Sequence, residues 1–242
     1  MRLDLMTWPE VDTYLSRTNG ILISAGSVEQ HGPIGLIGTD AICADYIATE
    51  AAYAASAIVA PPLVYAPAPF NTGFPGTISI SAELFEQLAR QIFSGLCAQG
   101  FGKIYVVNGH GANLDPLAAA AEACAATVRV RSWWSFECVQ QLREKLYGDW
   151  EGMHATPSEV AVTQHLKGIV HDGASTPPQK LTPDYIRTHS GDRHGSPAEH
   201  KANFPDGRVG SHSGLATPAN GKQLFQAATA AVAQDYSIFV QH

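Results

Sequence analysis

The chain has 242 residues, of which 45% are apolar and only 15% are charged, and its formal net charge is −7. This length suffices to bury a sizeable core within one compact unit, so we expect a single domain over residues 1–242. The acidic balance excludes an extended basic surface, so nucleic acid is not an expected partner. The apolar runs are far shorter than the roughly 20 residues that span a bilayer, so no membrane-spanning segment is expected.

Short strand-like runs alternate with longer amphipathic runs, which is typical of an α/β protein with a mainly parallel sheet. The strands are predicted at residues 21–25, 58–65, 103–107 and 128–135. The helices are predicted at residues 40–57, 81–99, 114–126, 137–147, 157–167 and 218–236. Pro61 and Pro62 place the second strand near a sheet edge or a bulge, because proline donates no hydrogen bond to a ladder. We therefore expect a three-layer α/β/α fold.

Two segments lack a regular pattern. Residues 66–77 are rich in Pro and Gly and are predicted to form a long loop, and residues 176–214 show little periodicity. The second segment could close over a site or over a neighbouring subunit, and a solvated loop is the alternative. It contains a group of basic and titratable side chains: His189, Arg193, His194, His200 and His212.

The first cluster of candidate functional residues follows the first predicted strand, in Gly26-Ser-Val-Glu-Gln-His-Gly. In extended chain, Glu29 and His31 point to the same side, where they could bind neighbouring metal ions. The C-terminal end of a strand is also where α/β proteins place their ligands. A solvated loop pair is the alternative. Asp40 could join them, but its position just before a helical pattern equally fits an N-cap.

A second candidate, His110, ends the clearest predicted strand, between two glycines in Val107-Asn-Gly-His-Gly. The glycines let the backbone approach a ligand closely, and the helix N-terminus that follows favours anions. In the alternative interpretation, the glycines form a turn and the histidine is incidental.

The third cluster lies at the start of a predicted helix. Thr156-Pro-Ser-Glu159 matches a capping box with proline at the first helical position, so Glu159 has a purely structural interpretation. His154 precedes this helix start, in a predicted loop where it would be free to titrate near neutral pH.

In this order, and together with Gly73-Phe-Pro-Gly-Thr-Ile-Ser79, the three clusters resemble the creatininase (creatinine amidohydrolase) family over nearly the whole chain. The resemblance implies a creatininase-like fold and a centre of two divalent metal ions. In that centre Asp40 bridges both ions, Glu29 and His110 bind one, and His31 and Glu159 bind the other. Carboxylates mixed with imidazoles suit zinc, manganese or iron equally well.

The chain departs from the family pattern after the Gly-His motif. The resemblance suggests that creatininases proper carry Tyr and a Glu ligand directly after this histidine, whereas this chain has Gly111 and Ala112. Glu159 is therefore expected to compensate. The Gly-His-Gly form is at least as similar to relatives that look like formamide hydrolases acting on a pyrimidine nucleotide intermediate, and to peptidases that trim a redox-cofactor precursor.

The reaction implied by the resemblance is hydrolysis of a non-peptide or cyclic amide, such as creatinine or a related compound. Two metal ions can lower the pKa of a shared water from about 15.7 towards 7, which gives a hydroxide at neutral pH. His154 is the expected general acid for the leaving nitrogen, and Asp40 the catalytic bridging carboxylate. A metal-binding scaffold without turnover is the alternative from another class.

Three aromatic residues are candidate contacts for the small-molecule substrate: Trp133, Trp134 and Phe74. Core packing is the alternative for at least one of the tryptophans. The resemblance further implies a homohexamer. Because the chain opens without a charged-then-apolar leader and has no C-x-x-C pair, we expect a soluble cytoplasmic protein with buried free thiols at Cys43, Cys97, Cys124 and Cys138.

Overall fold

A four-stranded parallel sheet organises the computed structural model, which describes residues 1–168, 176–189 and 194–241. Its strands are β1 (Gly20–Ala25), β2 (Ile58–Leu63), β3 (Lys103–Asn108) and β4 (Thr127–Ser132), in the order β2-β1-β3-β4. Every residue of the central β1 is buried, as its apolar sequence predicts. The proline-containing β2 lies at the edge, and its register with β1 shifts between Ile23 and Ala25, so the predicted edge position and irregularity are confirmed.

Helices connect and cover the strands. In the described ranges they are α1 (Trp8–Leu15), α2 (Thr39–Ala54), α3 (Ala82–Ala98), α4 (Leu114–Glu122), α5 (Glu137–Tyr147), α6 (Pro157–Lys167), α7 (Pro183–His189), α8 (Pro197–Asn203) and α9 (Pro218–Gln241). The helical pattern had predicted all of these except α1, α7 and α8, each of which has eight residues or fewer. The predicted loop residue Arg193 lies outside the described residues.

The sheet separates two hydrophobic cores. Leu22 packs into the core shared with α2, α5, α6 and α9, whereas its neighbours Ile21 and Ile23 pack into the core shared with α1, α3 and α4. This follows from the strand geometry, in which successive side chains point to opposite faces. The expected three-layer α/β/α architecture with a parallel sheet is therefore confirmed.

The cysteines are free thiols, as expected, but their burial differs from the prediction. Only Cys43 is buried, Cys97 and Cys124 are half-buried, and Cys138 is exposed. Cys138 lies in the first turn of α5 next to Val139, which is the residue that enters the core. Across the described residues, none of the helices combines the length and the apolar character needed to cross a membrane.

Helix α9 approaches α6 most closely at Gly221. A Cβ placed on Gly221 would overlap the backbone of Ala161 and Val162, which cannot rotate away as a side chain can. We expect Gly221→Ala to lower the free energy of unfolding by about 1–3 kcal/mol, measured by urea denaturation, because overpacking forces a backbone shift.

Gly95 in α3 provides the matched control for this prediction. A Cβ there meets nothing within 4 Å, so Gly95→Ala is expected to raise the stability by about 0.5–1 kcal/mol through helix propensity. An equal response of the two variants would contradict the close packing of α9 on α6.

Candidate metal centre

The five candidate ligands come together at the C-terminal edge of the sheet. Glu29 and His31 lie in the loop after β1 and His110 lies after β3, while Asp40 and Glu159 lie in the first turns of α2 and α6. The first four are at most 3% exposed, and the Glu159 side chain is 13% exposed. Parallel strands end at the same edge, which explains how side chains far apart in the sequence meet here.

Asp40 occupies the middle of this cluster. Its Oδ1 lies 2.9 Å from His31 Nε2, and its Oδ2 lies 3.0 Å from His110 Nδ1. Glu29 Oε1 lies 3.3 Å from the same nitrogen of His110, and Glu159 Oε1 lies 3.7 Å from His31 Nε2. Two groups of possible ligands therefore share Asp40, and within each group the ligand atoms lie within 4.8 Å of one another.

Main-chain carbonyls orient both histidines of the cluster. His31 Nδ1 lies 3.1 Å from the carbonyl oxygen of Glu29, and His110 Nε2 lies 2.6 Å from that of Pro67. A carbonyl oxygen only accepts, so these two nitrogens carry the protons. The other nitrogen of each ring faces the carboxylates and, once it has lost its own proton, presents a lone pair in the orientation that a metal ligand needs.

This arrangement fits divalent metal ions. Ring nitrogens and carboxylate oxygens come this close only when a proton or a metal ion lies between them, and here they face each other at 2.9 to 3.7 Å. In addition, Glu29 Oε1 is fully buried with no hydrogen-bond partner among the described residues. Buried polar atoms of this kind are rare unless an ion or a water satisfies them. The mixed nitrogen and oxygen donors suit first-row transition metals.

The ionisation of the cluster shows the same concentration of negative charge. Burial lowers the pKa of His31, but the Asp40, Glu159 and Glu29 carboxylates outweigh it and raise that pKa to about 10. Burial raises the pKa of Glu159 to about 7, against the opposing effect of His31. Burial would also raise the pKa of Asp40, but the His31 and His110 rings hold it well below its usual range. The cluster is thus one that binds protons or metal ions strongly.

From the sequence, Glu159 and Asp40 could each have served only to cap a helix, and the structure gives a different outcome for each. Glu159 does form a capping box, because its Oε1 accepts from the backbone N–H of Thr156 at 2.5 Å. The same oxygen still faces His31, so capping and ligand positions are compatible. Asp40 is not an N-cap: α2 begins one residue earlier at Thr39, and Asp40 Oδ2 accepts from Ser27 Oγ at 2.8 Å.

His154 lies in the same cavity, but it is not the freely titrating loop histidine that was expected. It is 5% exposed, and burial, followed by the charge of His31, lowers its pKa well below the usual value. Its Nε2 makes its shortest contact, 2.7 Å, with the carbonyl oxygen of Gln30, which favours a proton on Nε2, and it also lies 3.0 Å from Gln30 Nε2 and 3.3 Å from Asn71 Nδ2. Its Nδ1 faces Glu29 Oε1 at 3.6 Å. The expectation of a near-neutral pKa is wrong because the ring is enclosed.

The candidate aromatic contacts divide between two places. Trp133 and Trp134 both line the cavity that contains the ligands, which has a volume of about 290 Å³. Trp133 also belongs to the core, as the alternative interpretation held. Phe74 is not among the residues that line this cavity. Its ring instead contacts α8, 6.3 Å from the ring of His200 and 5.1 Å from Lys201 Nζ, and its role as a substrate contact stays a prediction.

The histidine-rich segment packs behind the cluster. The rings of His194 and His200 each lie 4.8 Å from the ring of Phe70, which also lies 6.0 Å from the ring of His154. His200 is 2% exposed, so the solvated-loop alternative does not describe it. His189 and His212 contact other rings, those of Tyr185 and Trp150.

Sequence reasoning missed two residues that hold the cluster in place. Asn71 Nδ2 donates to Glu29 Oε2 at 3.1 Å, and Gln30 Nε2 donates to Asn71 Oδ1 at 2.7 Å. Gln30 is flanked by two candidate ligands, which could have drawn attention to it. Asn71 lies in a loop rich in Pro and Gly, and nothing in its surroundings distinguishes it.

We expect Asn71→Ala to weaken divalent-metal affinity by about 10- to 100-fold, because an outer partner that orients a ligand contributes this much in metal sites. The measurement is competition for Mn²⁺ against a chelator of known affinity. Thr72→Ala is the control, since Thr72 is exposed and its hydroxyl, as far as the described residues go, bonds to the Pro69 carbonyl alone. Equal affinities for the two variants would show that Asn71 does not orient Glu29.

Comparison with protein families matches residues 4–236 to the family described as creatininase, creatinine amidohydrolase. This match covers the whole cluster and nearly all of the fold.

Curated relatives match over shorter segments. The chain is 34% identical over 119 residues to the mycofactocin precursor peptide peptidase of Mycolicibacterium smegmatis, covering 47% of this chain and 48% of that protein. It is 32% identical over 107 residues to the 3-dehydro-scyllo-inosose hydrolase of Thermotoga maritima, covering 44% and 34%. The chain thus spans about half or less of the length of these two relatives.

Solved structures share the fold. A structure titled "Creatininase Mn" has a TM-score of 0.79 at 19% identity and covers 100% of this chain and 99% of that one. A creatininase variant described as the Zn-Zn type has the same TM-score at 20% identity, with coverages of 100% and 98%. At this level of identity, the similarity shows a common architecture.

Proposed function

This chain belongs to the creatininase family, and we therefore propose that it is a divalent-metal-dependent amidohydrolase acting on a non-peptide or cyclic amide C–N bond, in creatinine or a related compound. The observation that carries the proposal is the pair of ligand groups that share Asp40 inside one cavity. Two buried groups with one common carboxylate are what a two-metal hydrolase requires.

We propose that two ions bind. Glu29 and His110 would hold one, His31 and Glu159 would hold the other, and Asp40 would serve both. Manganese and zinc are the favoured ions because structures of the same fold are described with them, and iron remains compatible with the donor types. When bound, such ions supply Lewis acidity, which activates water and polarises the carbonyl of an amide.

His154 is proposed to move the proton. Its Nε2–H is held by the Gln30 carbonyl, so its Nδ1, which faces the cluster, is the atom available for exchange. Because its pKa is lowered, the ring is neutral at pH 7 and can first accept a proton at Nδ1. That proton comes from the attacking water, and the ring can then donate it to the leaving nitrogen, which is too basic to depart as an anion. Trp133 and Trp134 would pack against the substrate and exclude bulk water.

A small peptidase acting at the same centre is the second candidate. The observation in its favour is the 34% identity to a mycofactocin precursor peptide peptidase. The formamide hydrolase remains a prediction of the family resemblance, and a metal-binding scaffold without turnover remains the alternative outside the enzymes.

The test combines metal analysis with a substrate panel. We expect the purified protein to bind divalent metal, to lose activity in chelator and to regain it with Mn²⁺ or Zn²⁺. Creatinine, simple formamides and short peptides are assayed in parallel. Turnover of creatinine supports the first proposal, and turnover of peptides alone supports the second. Bound metal with no hydrolysis of any amide would favour the scaffold.

The homohexamer and the cytoplasmic location remain proposals. The first rests on family resemblance and the second on composition. Light scattering on the purified protein and fractionation of the producing cells are the respective tests.

A further inference from the structure

We propose that Arg143 binds a carboxylate of the substrate, so that the amide hydrolysed by this chain carries a carboxylate at the end away from the scissile bond. This inference rests on the proposed hydrolase function and narrows its substrate to the related compounds that carry a carboxylate, since creatinine itself has none.

Arg143 lines the same cavity as the metal-ligand cluster, although it lies on a different helix, α5. Its side chain is 20% exposed, and its Nε donates to Glu151 Oε1 at 2.9 Å. Within the described parts of the chain, this is the one hydrogen bond that its guanidinium makes. A guanidinium has five N–H donors, so the donors of both terminal nitrogens remain for a ligand.

The guanidinium is held in place beside the cluster. Glu151 Oε1, which accepts from Arg143, also accepts from Ser158 Oγ. Ser158 is buried, lines the cavity and directly precedes the candidate ligand Glu159. The bond through Nε fixes the plane of the Arg143 fork, and a fork fixed in advance loses less entropy when it binds.

The charges of the cavity favour an anion at this position. Among the described residues that line it, Arg143 is the one arginine or lysine, and every lining carboxylate belongs to the metal-ligand cluster. A planar fork with paired N–H groups matches a carboxylate in a bidentate manner. The cavity volume of about 290 Å³ is at the small end for ligand sites, which favours a compact molecule with the amide and the carboxylate at opposite ends.

The structural alternative is that the ion pair with Glu151 only attaches α5 to the segment before α6. A purely structural arginine would not distinguish a carboxylate from an amide of the same shape. The test therefore measures that distinction at equilibrium, without requiring turnover.

Binding of N-acetylglycine and N-acetylglycinamide to the manganese-loaded protein is measured by isothermal titration calorimetry. We expect the wild type to prefer the carboxylate by about 10- to 100-fold, which is the effect of a charge-assisted hydrogen-bonded pair. Arg143→Met should remove the preference while leaving the Kd of N-acetylglycinamide unchanged. Arg143→Lys, which keeps the charge but lacks the planar guanidinium, should retain only part of the preference for the carboxylate.

Arg90→Met is the matched control, because Arg90 is on the surface of α3 and pairs with Glu86. It should keep the full preference. A wild type without preference would overturn the proposal, and so would a preference that persists in Arg143→Met, since the carboxylate would then bind the metal directly. If the Arg143-dependent preference is found but no amide is hydrolysed, the proposed function fails, while the assignment of Arg143 as a carboxylate-binding residue stands.

Discussion

Replacing Asp40 with alanine is expected to release both metal ions and to reduce turnover by more than about 100-fold, since the loss even of an outer partner of a metal ligand reduces activity by 10- to 100-fold. The two carboxylate oxygens of Asp40 face different histidines, at 2.9 Å and 3.0 Å. The substitution therefore removes a carboxylate from both ligand groups at once. It also leaves the Ser27 hydroxyl without its acceptor and opens a polar space in a buried region.

Metal content after gel filtration, measured by mass spectrometry, tests this expectation directly. Asp45→Ala is the control from the same helix, because Asp45 pairs with Arg2 and accepts from Ser24. That variant should be less stable but should keep its metal and its turnover. An Asp40→Ala protein that retains two ions would contradict the shared-carboxylate arrangement.

The sheet was largely predictable because its two central strands, β1 and β3, are short, mostly apolar and almost entirely buried. The short apolar runs of β1 and β3, rich in β-branched residues, indicated buried strands, and prolines in β2 indicated the edge. Helices α7 and α8 were not predictable because seven residues make about two turns, too few for a periodic pattern to emerge. The capping box at Ser196 and Glu199 was the available signal for α8.

The candidate site was predictable in position rather than in detail. Motifs that follow parallel strands must lie at one edge, so the proximity of Glu29, His31 and His110 follows from the fold. Their roles as ligands stay predictions. Glu159 could not be assigned from sequence because a capping glutamate and a ligand glutamate occupy the same helical position, and here the side chain is placed to do both.

Tertiary contacts that leave no pattern in the sequence set the remaining features. Asn71 reaches Glu29 across 42 positions of the chain. Arg143 lies on an amphipathic helix where an arginine is ordinarily a solvated surface residue, and only the folded structure places it at the cavity. The burial of His154 depends on a bridge to residues near Val209, more than 50 positions away, since the Val209 N–H donates to the His154 carbonyl at 3.2 Å.

His154→Ala is expected to keep its metal but to lose about 10²- to 10⁴-fold in kcat, which is the usual contribution of a positioned acid or base. The reason is geometric: the Gln30 carbonyl holds Nε2–H, so Nδ1 is the atom directed at the cluster. Substrate binding should change little, so the loss should fall on kcat rather than on KM. His165→Ala in α6 is the control, since that ring contacts Phe225 away from the cavity.

Metal content decides how a loss of activity in His154→Ala is interpreted. The ligand atoms of Glu29, His31 and His154 also lie within 4.8 Å of one another, so a structural argument exists for His154 as a ligand. A variant that loses metal together with activity would place His154 in the ligand set. A variant with full metal and an unchanged rate would remove the proton-transfer role altogether. Full metal content with a reduced kcat is the outcome expected for a buried, neutral and oriented imidazole, because such a ring transfers a proton without binding the metal ion.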